Sequence, residues 1–269
     1  MEMNRQALSH EALNLSYLDT SSKGPAIVAL HAHWMEASTF RPLAAALAPA
    51  WRVIALDQRG HGFSSHAPSY TRGDYFGDLD ALLHHLGLEQ VVLLGNSLGG
   101  VNAYQYAARR PHRVVGLVIE DIGAEIDDDV SMGLPWAGLF GTRAELEAVI
   151  GPKLLPALTE SVRETGDGWR LAFDPEEVVA SQARLNGDHW QDWLASTCPA
   201  LIVRGKDSPL TKAAHLREMA RRRPNTALVE LEGGHAVHQD NPGGFTSALT
   251  NFLSELPGLP SKQADEVQH

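Results

Sequence analysis

Short apolar runs recur along the chain, and stretches with helical spacing of their apolar positions separate them. Six runs are rich in Val, Ile and Leu: 26–32, 52–57, 90–95, 114–121, 200–205 and 226–231. Continuous apolar runs of this length are typical of strands buried on both faces. Because such strands alternate here with helices, we predict an α/β fold with a mostly parallel, doubly wound sheet.

The two ends of the chain have different patterns. Near the N-terminus, the segment ALSHEALNLSYLDT (7–20) alternates loosely between apolar and polar residues, which predicts an antiparallel hairpin at the edge of the sheet. The tail, 257–269, lacks apolar periodicity and is expected to be loosely held.

A long stretch separates Asp121, which ends one strand-like run, from Ala200, which begins the next. A crossover between parallel strands needs only one helix, so this stretch contains an insertion. It holds four of the six tryptophans, and glycine and proline divide it into short helical pieces. We predict a helical lid over residues 124–197, inserted before the strand at about 200, above a core of residues 1–123 and 198–256.

Three tryptophans are candidates for substrate contacts. Trp34 follows the first predicted parallel strand, and Trp136 and Trp190 lie in the predicted lid. Aromatic side chains also dominate core burial, so packing in the core is the alternative for the lid tryptophans.

Composition and charge exclude several classes of partner. The formal net charge is −11, and the longest basic run is Arg221–Arg223, which disfavours nucleic acid and anionic membranes as partners. Cys198 is the only cysteine, so no intramolecular disulfide is expected. No apolar run approaches the roughly 20 residues of a membrane span, and the N-terminus lacks a signal-peptide pattern, so we expect a soluble, cytoplasmic protein.

Ser97 lies where a buried strand ends and a helix begins. The surrounding segment, GNSLG (95–99), matches the G-x-S-x-G pattern, in which a nucleophile occupies a strained strand-to-helix turn. The backbone N–H of Leu98 would face negative charge that develops on a bound carbonyl oxygen. A Gly/Ser turn also packs a helix closely on a sheet, but the strand before and the helix after favour the catalytic interpretation.

A serine hydroxyl needs a base, and the base needs a carboxylate to orient it. Asp207 follows the strand 200–205 and His235 follows the next strand, so both are predicted at the C-terminal edge of the sheet. Ser, Asp and His occur in the chain order that this architecture predicts. Asp121 also ends a strand and is the alternative acid, but it leads into the lid, which favours Asp207.

His238 is the alternative base, three residues after His235. Gly233 and Gly234 directly precede His235 and allow a sharp turn that would aim its imidazole at the serine. His238 is expected instead to pack against the lid or to cap the final helix, which begins near Pro242.

Five segments together resemble the α/β-hydrolase family over essentially the whole chain: LHAHW (30–34), DQRGHGFSS (57–65), GNSLGG (95–100), VRGKDSPL (203–210) and GGHAVHQDNP (233–242). The resemblance implies the α/β-hydrolase fold, a triad of Ser97, Asp207 and His235, and an oxyanion hole formed by the backbone N–H groups of His33 and Leu98. The family usually has glycine at the position of Ala32.

Other polar residues in these segments have structural or metal-binding alternatives. In the family, the segment that contains Asp57, Arg59 and His61 mainly holds a loop together, so we predict a structural role for them. The pair His31 and His33 also resembles the start of metal-dependent amidohydrolases. Those enzymes also need histidines after later barrel strands and a terminal aspartate, whereas the strands here end in Ser97 and Asp121, so no metal is predicted.

The identity of the nucleophile narrows the class of reaction. In the family that this chain resembles, dehalogenases and epoxide hydrolases carry aspartate at the strand-to-helix turn, the elbow, where this chain has Ser97. Serine predicts hydrolysis of carboxylic esters through an acyl-enzyme, without a cofactor. The lid aromatics and the acidic chain predict a small, neutral, apolar or aromatic substrate. Lactone hydrolysis and C–C cleavage of ring-fission products are alternatives, because GNSLGG is similar to the elbow of C–C hydrolases. A ligand receptor or partner-binding protein on the same fold is the alternative of another class. The oligomeric state is not indicated.

Overall fold

The structure, a computed structural model, describes residues 2–257 and is organised around one large β-sheet. The strands are β1 (Asn4–His10), β2 (Leu13–Asp19), β3 (Ala26–Leu30), β4 (Arg52–Leu56), β5 (Val91–Asn96), β6 (Val114–Glu120), β7 (Glu125–Ile126), β8 (Val162–Thr165), β9 (Gly168–Leu171), β10 (Gly187–Asp188), β11 (Ala200–Gly205) and β12 (Thr226–Leu231). The large sheet has the order β1-β2-β4-β3-β5-β6-β11-β12. Its strands from β4 to β12 are parallel, and the β1–β2 hairpin joins antiparallel at one edge. The predicted α/β fold class with a mostly parallel sheet is confirmed. The six apolar runs correspond to β3, β4, β5, β6, β11 and β12 of that sheet.

Helices cover both faces of the sheet. They are α1 (Arg41–Leu47), α2 (Arg72–His85), α3 (Leu98–Arg109), α4 (Arg143–Ile150), α5 (Leu155–Leu158), α6 (Pro175–Leu185), α7 (Trp190–Ala195), α8 (Ala213–Arg222), α9 (Val237–Asp240) and α10 (Pro242–Ser254). Residues of α2, α3 and α8 pack with one face of the sheet, and residues of α1 and α10 pack with the other. Since both faces are covered, the central strands are apolar throughout, as the sequence pattern indicated.

The insertion between β6 and β11 has a small apolar core of its own. Its buried side chains are Trp136, Leu146, Ile150, Leu158, Leu171, Phe173 and Val178. The segment is not purely helical, because β7 pairs with β10 and β8 pairs with β9. These strands are two to four residues long, which is too short for a period of two to be visible in the sequence.

The predicted tail lies almost wholly outside the described residues. Within 2–257, no helix is both long enough and apolar enough to cross a bilayer.

Candidate active site

Ser97 occupies a strained turn between β5 and α3. Its backbone angles are φ 52° and ψ −115°, a region that non-glycine residues rarely adopt and that costs about 1–3 kcal/mol. The flanking glycines permit this turn: a Cβ at Gly95 would lie 2.1 Å from the carbonyl oxygen of Gly99, and one at Gly99 would lie 2.1 Å from that of Leu30. The sequence therefore builds a tight corner that presents a partly exposed hydroxyl.

Two backbone N–H groups beside this corner are available as donors. Within the described part of the chain, the N–H groups of His33 and Leu98 make no hydrogen bond to a protein group. Leu98 is the first residue of α3, so its N–H has no partner inside the helix. These are the two groups that the resemblance to the family implied for an oxyanion hole.

The loop that contains His33 is held by a neighbouring imidazole. His31 Nδ1 lies 2.7 Å from the carbonyl oxygen of Ala32, and its Nε2 accepts from the backbone N–H of Gln58 at 2.9 Å. Burial lowers the pKa of His31 to about 4, so the ring stays neutral near pH 7 and Nε2 remains an acceptor. Ala32 replaces the usual glycine without a positive φ, whereas Trp34 has φ 69°.

His235 forms a hydrogen-bonded pair with Asp121. His235 Nδ1 lies 2.8 Å from Asp121 Oδ2, and the aspartate side chain is fully buried. Three further donors satisfy this carboxylate: the Ser208 hydroxyl on Oδ2, and the Thr211 hydroxyl at 2.7 Å and the Gly205 N–H at 3.2 Å on Oδ1. A buried carboxylate with this many donors is well suited to orient an imidazole and to stabilise its protonated form.

The expectation for Asp207 is wrong in this structure, because its side chain is exposed and is not a partner of His235. The chain turns sharply after β11, where the Asp207 N–H donates to the carbonyl oxygen of Gly233 at 3.0 Å. This turn directs Asp207 to the surface and Ser208 inward to Asp121. The residue considered as the alternative acid therefore takes the position next to the imidazole.

The expectation for His238 also needs correction. Its side chain is fully buried, with Phe40 stacked on the ring at a centroid distance of 4.6 Å and Glu120 hydrogen-bonded to Nδ1. It does not cap the final helix, because the side chain of Asn241 accepts the capping hydrogen bond from Gly244.

The inserted segment contacts the His33 loop at several points. His33 Nε2 lies 2.9 Å from the hydroxyl of Ser181 on α6, and that hydroxyl lies 2.8 Å from the hydroxyl of Tyr75 on α2. The Ser161 hydroxyl donates to the Trp34 carbonyl oxygen at 2.7 Å. The position of the inserted segment is therefore tied to the loop that presents the His33 N–H.

A cavity of about 460 Å³ lies in the inserted segment. Its lining includes the apolar Trp136, Leu139, Leu171 and Phe173, the charged Arg170, Asp174 and Glu177, and His66 from the core. Trp136 packs edge-on against Trp34 at 5.1 Å, which places both near the His33 loop.

Trp190 is not among the residues that line this cavity. Its ring packs on His215 and lies under Arg222 at 4.0 Å, and its Nε1 donates to Glu125 at 2.6 Å. The prediction of Trp190 as a pocket residue is therefore not supported, because its ring is engaged by α8 and β7.

Comparisons with known proteins agree with this fold. The sequence model of the alpha/beta hydrolase family matches residues 27–248. The chain belongs to the alpha/beta hydrolase family. It is 31% identical over 245 residues to the 2-(acetamidomethylene)succinate hydrolase of Mesorhizobium japonicum, covering 86% of this chain and 88% of the relative. It is 32% identical over 270 residues to an sn-1-specific diacylglycerol lipase of Mus musculus, covering 90% and 86% respectively.

A solved structure gives the same result for this alpha/beta hydrolase. The crystal structure of E-2-(acetamidomethylene)succinate hydrolase superposes with a TM-score of 0.81 at 25% identity, covering 93% of this chain and 98% of that one. These relatives are hydrolases, which supports hydrolase activity for this chain.

An arginine without an acidic partner lies close to the site of this hydrolase. Arg72, at the start of α2, donates from Nε to Gln105 at 2.8 Å and from Nη2 to Asn102. Its Nη1 is buried without a hydrogen-bond partner, and no carboxylate within residues 2–257 forms an ion pair with it. Burial lowers the pKa of Arg72 to about 10. Burial is also the main cause that lowers the pKa of His33, and the positive charge of Arg72 adds to it.

Sequence reasoning missed Ser208, Thr211 and Arg72. Ser208 and Thr211 stand in the segment SPLT, whose Ser-Pro pair gives a weak signal of a turn. Arg72 has no local signal, because an arginine at a helix start has the pattern of an exposed residue.

Proposed function

We propose that the protein is a serine hydrolase that cleaves carboxylic esters through an acyl-enzyme, with Ser97, Asp121 and His235 as its triad. The observation that carries the proposal is the contact between His235 Nδ1 and the buried Asp121 carboxylate, beside a serine held at a strained elbow. Each residue by itself could have a purely structural role. A nucleophile, a base and an orienting acid together at one sheet edge match the requirements of nucleophilic catalysis.

In the proposed cycle, His235 Nε2 takes the proton of Ser97 as the hydroxyl oxygen attacks the ester carbonyl carbon. The N–H groups of His33 and Leu98 stabilise the negative charge on the carbonyl oxygen. His235 then gives its proton to the leaving alkoxide, and an acyl-enzyme forms. Water attacks this acyl group with His235 again as the base, which releases the acid and restores the serine.

A small, neutral, apolar or aromatic ester is the first candidate substrate. The support is the set of aromatic and aliphatic side chains in the cavity of the inserted segment, including Phe173 and Trp136, whose ring packs on Trp34 next to His33. Lactone hydrolysis uses the same steps, with the leaving alkoxide kept on the acyl chain. Cleavage of a C–C bond in a ring-fission product is a further alternative to ester hydrolysis at the same site.

Multiple turnover on a graded substrate panel tests the proposal. We expect steady release of p-nitrophenol from p-nitrophenyl esters of short and medium acyl chains, with a pre-steady-state burst that reports the acyl-enzyme. Lactones and amides of matched size belong in the same panel. One turnover followed by a stable adduct would instead favour a ligand receptor on this fold.

A substrate with a carboxylate is the second candidate, and Arg72 is the observation that favours it. The Arg72 charge is met by two amide oxygens and the face of the Tyr75 ring, at 5.2 Å, so its free Nη1 donor favours an anionic ligand group at this position. The similarity to a hydrolase named for a succinate derivative supports the same idea.

Replacing Arg72 with methionine separates the two candidates. With p-nitrophenyl hydrogen succinate, we expect KM to rise about 10- to 100-fold, because a charge-assisted hydrogen bond is lost. With p-nitrophenyl butyrate, KM should stay within twofold. Arg109→Met is the matched control, since Arg109 already pairs with Asp192 at 3.0 Å. If wild-type protein prefers the neutral ester and Arg72→Met changes both substrates alike, the carboxylate candidate is excluded.

A further inference from the structure

A second acid–imidazole pair lies directly beside the proposed catalytic pair. Glu120 and Asp121 are consecutive at the end of β6, and His235 and His238 follow β12 three residues apart. His235 Nδ1 lies 2.8 Å from Asp121 Oδ2, and His238 Nδ1 lies 2.8 Å from Glu120 Oε2. Two parallel contacts thus connect the end of β6 to the segment that carries the proposed base.

The second pair is completely enclosed. The side chains of Glu120 and His238 are both 0% exposed. Phe40 stacks on the His238 ring at 4.6 Å, and Phe245 meets it edge-on at 6.0 Å. In residues 2–257, the Glu120 carboxylate accepts only from the His238 ring and from the His238 backbone N–H, at 2.8 Å. Among the described residues, His238 therefore donates every hydrogen bond that the Glu120 carboxylate accepts.

Stability alone gives a poor account of this pair. His238 Nε2 is buried without a hydrogen-bond partner, which is a cost that an apolar side chain would avoid. Buried ionisable pairs are often replaced by well-packed apolar residues with no loss of stability. A pair that leaves one nitrogen unsatisfied between two phenylalanine rings therefore indicates a role in the position of the chain.

The pair acts on the segment that determines where His235 lies. The backbone N–H of His238 is held by Glu120 Oε1, and the side chain of Asn96 donates to the His235 carbonyl oxygen at 2.9 Å. The same amide donates to the Glu120 carbonyl oxygen at 3.3 Å. Asn96 directly precedes Ser97, so one network connects the serine, the end of β6 and the backbone from the His235 carbonyl to the His238 N–H.

We propose that Glu120 and His238 are positioning residues, which hold the backbone after His235 so that its Nε2 reaches the Ser97 hydroxyl. This inference rests on the triad proposed above. Asp121 sets the orientation of the His235 ring, and Glu120 sets the location of its backbone through His238. A shift of about 1 Å in a catalytic group can cost roughly 10²-fold in rate, so loss of the pair affects acylation rather than substrate binding.

Three variants test the pair through the acylation rate constant and the apparent substrate dissociation constant, both taken from the burst with a p-nitrophenyl ester. Glu120→Gln and His238→Leu should each slow acylation about 10- to 100-fold and change the dissociation constant less than twofold. His238→Asn should acylate within threefold of wild type, because its amide nitrogen takes the place of Nδ1 and keeps a donor toward Glu120. The double variant Glu120→Gln/His238→Leu should be no slower than the slower single variant, as expected for residues that act as a unit.

Phe245→Leu is the matched control, because it removes the edge contact on the His238 ring and leaves the hydrogen bonds to Glu120. It should lower Tm and leave acylation unchanged. Normal acylation in His238→Leu, or an equal loss in His238→Asn and His238→Leu, would overturn the proposal. If Glu120→Gln does not fold, the two His238 variants decide alone. Full activity in Ser97→Ala would instead contradict the proposed triad. Failure of the positioning role and failure of the triad are therefore distinguishable.

Discussion

Ser97→Ala is expected to lower kcat for ester hydrolysis by about 10⁴-fold or more, because it removes the attacking oxygen from a unit that acts together. The substitution deletes one atom and keeps the Cβ, so the turn at φ 52° carries the same backbone strain before and after. Tm should therefore stay within a few degrees of the wild-type value. The measurement is steady-state hydrolysis of the best p-nitrophenyl ester from the panel.

Covalent labelling gives an independent readout of the same prediction. A serine-directed organophosphate should add one adduct per chain, located at Ser97 by peptide mass spectrometry, and Ser97→Ala should add none. Ser254→Ala is the control, since that hydroxyl donates to the Asn251 carbonyl oxygen on α10. A Ser97→Ala protein with a tenth of the wild-type kcat would show that Ser97 is a turn residue only.

The strands, the elbow and the histidine at position 235 could be predicted because each depends on local pattern. A strand buried on both faces needs a continuous apolar run, as in β5. Gly95 and Gly99 are required by close backbone approaches that no side chain permits, so the elbow is visible as a short motif. Such short-range patterns can be recognised in the sequence without knowledge of the tertiary contacts.

The acid could not be predicted in the same way, because two carboxylates follow strand ends and the pattern of the loops after them favoured Asp207. Asp121 and Asp207 follow β6 and β11, which are neighbours in the sheet and end at the same edge. The choice depends on which side chain turns inward. Asp121 has φ 47° and is fully buried, whereas Asp207 is exposed beyond the turn at Gly205. Side-chain direction in a loop follows from tertiary packing and leaves no periodic signal.

The partners of the inserted segment and of Glu120 were invisible for a related reason. Ser181 reaches His33 across 148 positions of the chain, and His238 reaches Glu120 across 118. A glutamate at the end of an apolar strand has the ordinary pattern of a residue leaving the core. Only the tertiary structure shows that the Glu120 side chain is fully buried and accepts a hydrogen bond from the His238 imidazole.

Asp121→Asn is expected to lower kcat by about 10⁴-fold, since the asparagine would hold His235 in the wrong tautomer. The surrounding donors determine how the new amide is oriented. The Gly205 N–H donates to Oδ1 and cannot become an acceptor, so the amide oxygen is required on that side. The amide nitrogen then occupies the position of Oδ2 and donates to His235 Nδ1, which places the ring proton on Nε2. An imidazole with that proton cannot accept the hydrogen of Ser97.

Asp207→Asn is the matched control, because it makes the same chemical change on the neighbouring strand end. Its carboxylate is exposed and makes no hydrogen bond or ion pair within residues 2–257, so kcat should stay within twofold of wild type. Both variants should be compared by the acylation burst and by Tm, which separates a tautomer effect from partial unfolding. If Asp207→Asn abolishes the burst and Asp121→Asn keeps it, the base must take a different partner during turnover than the one it contacts here. The expected opposite result follows from burial: only Asp121 can stabilise a positive charge on the imidazole without competition from water.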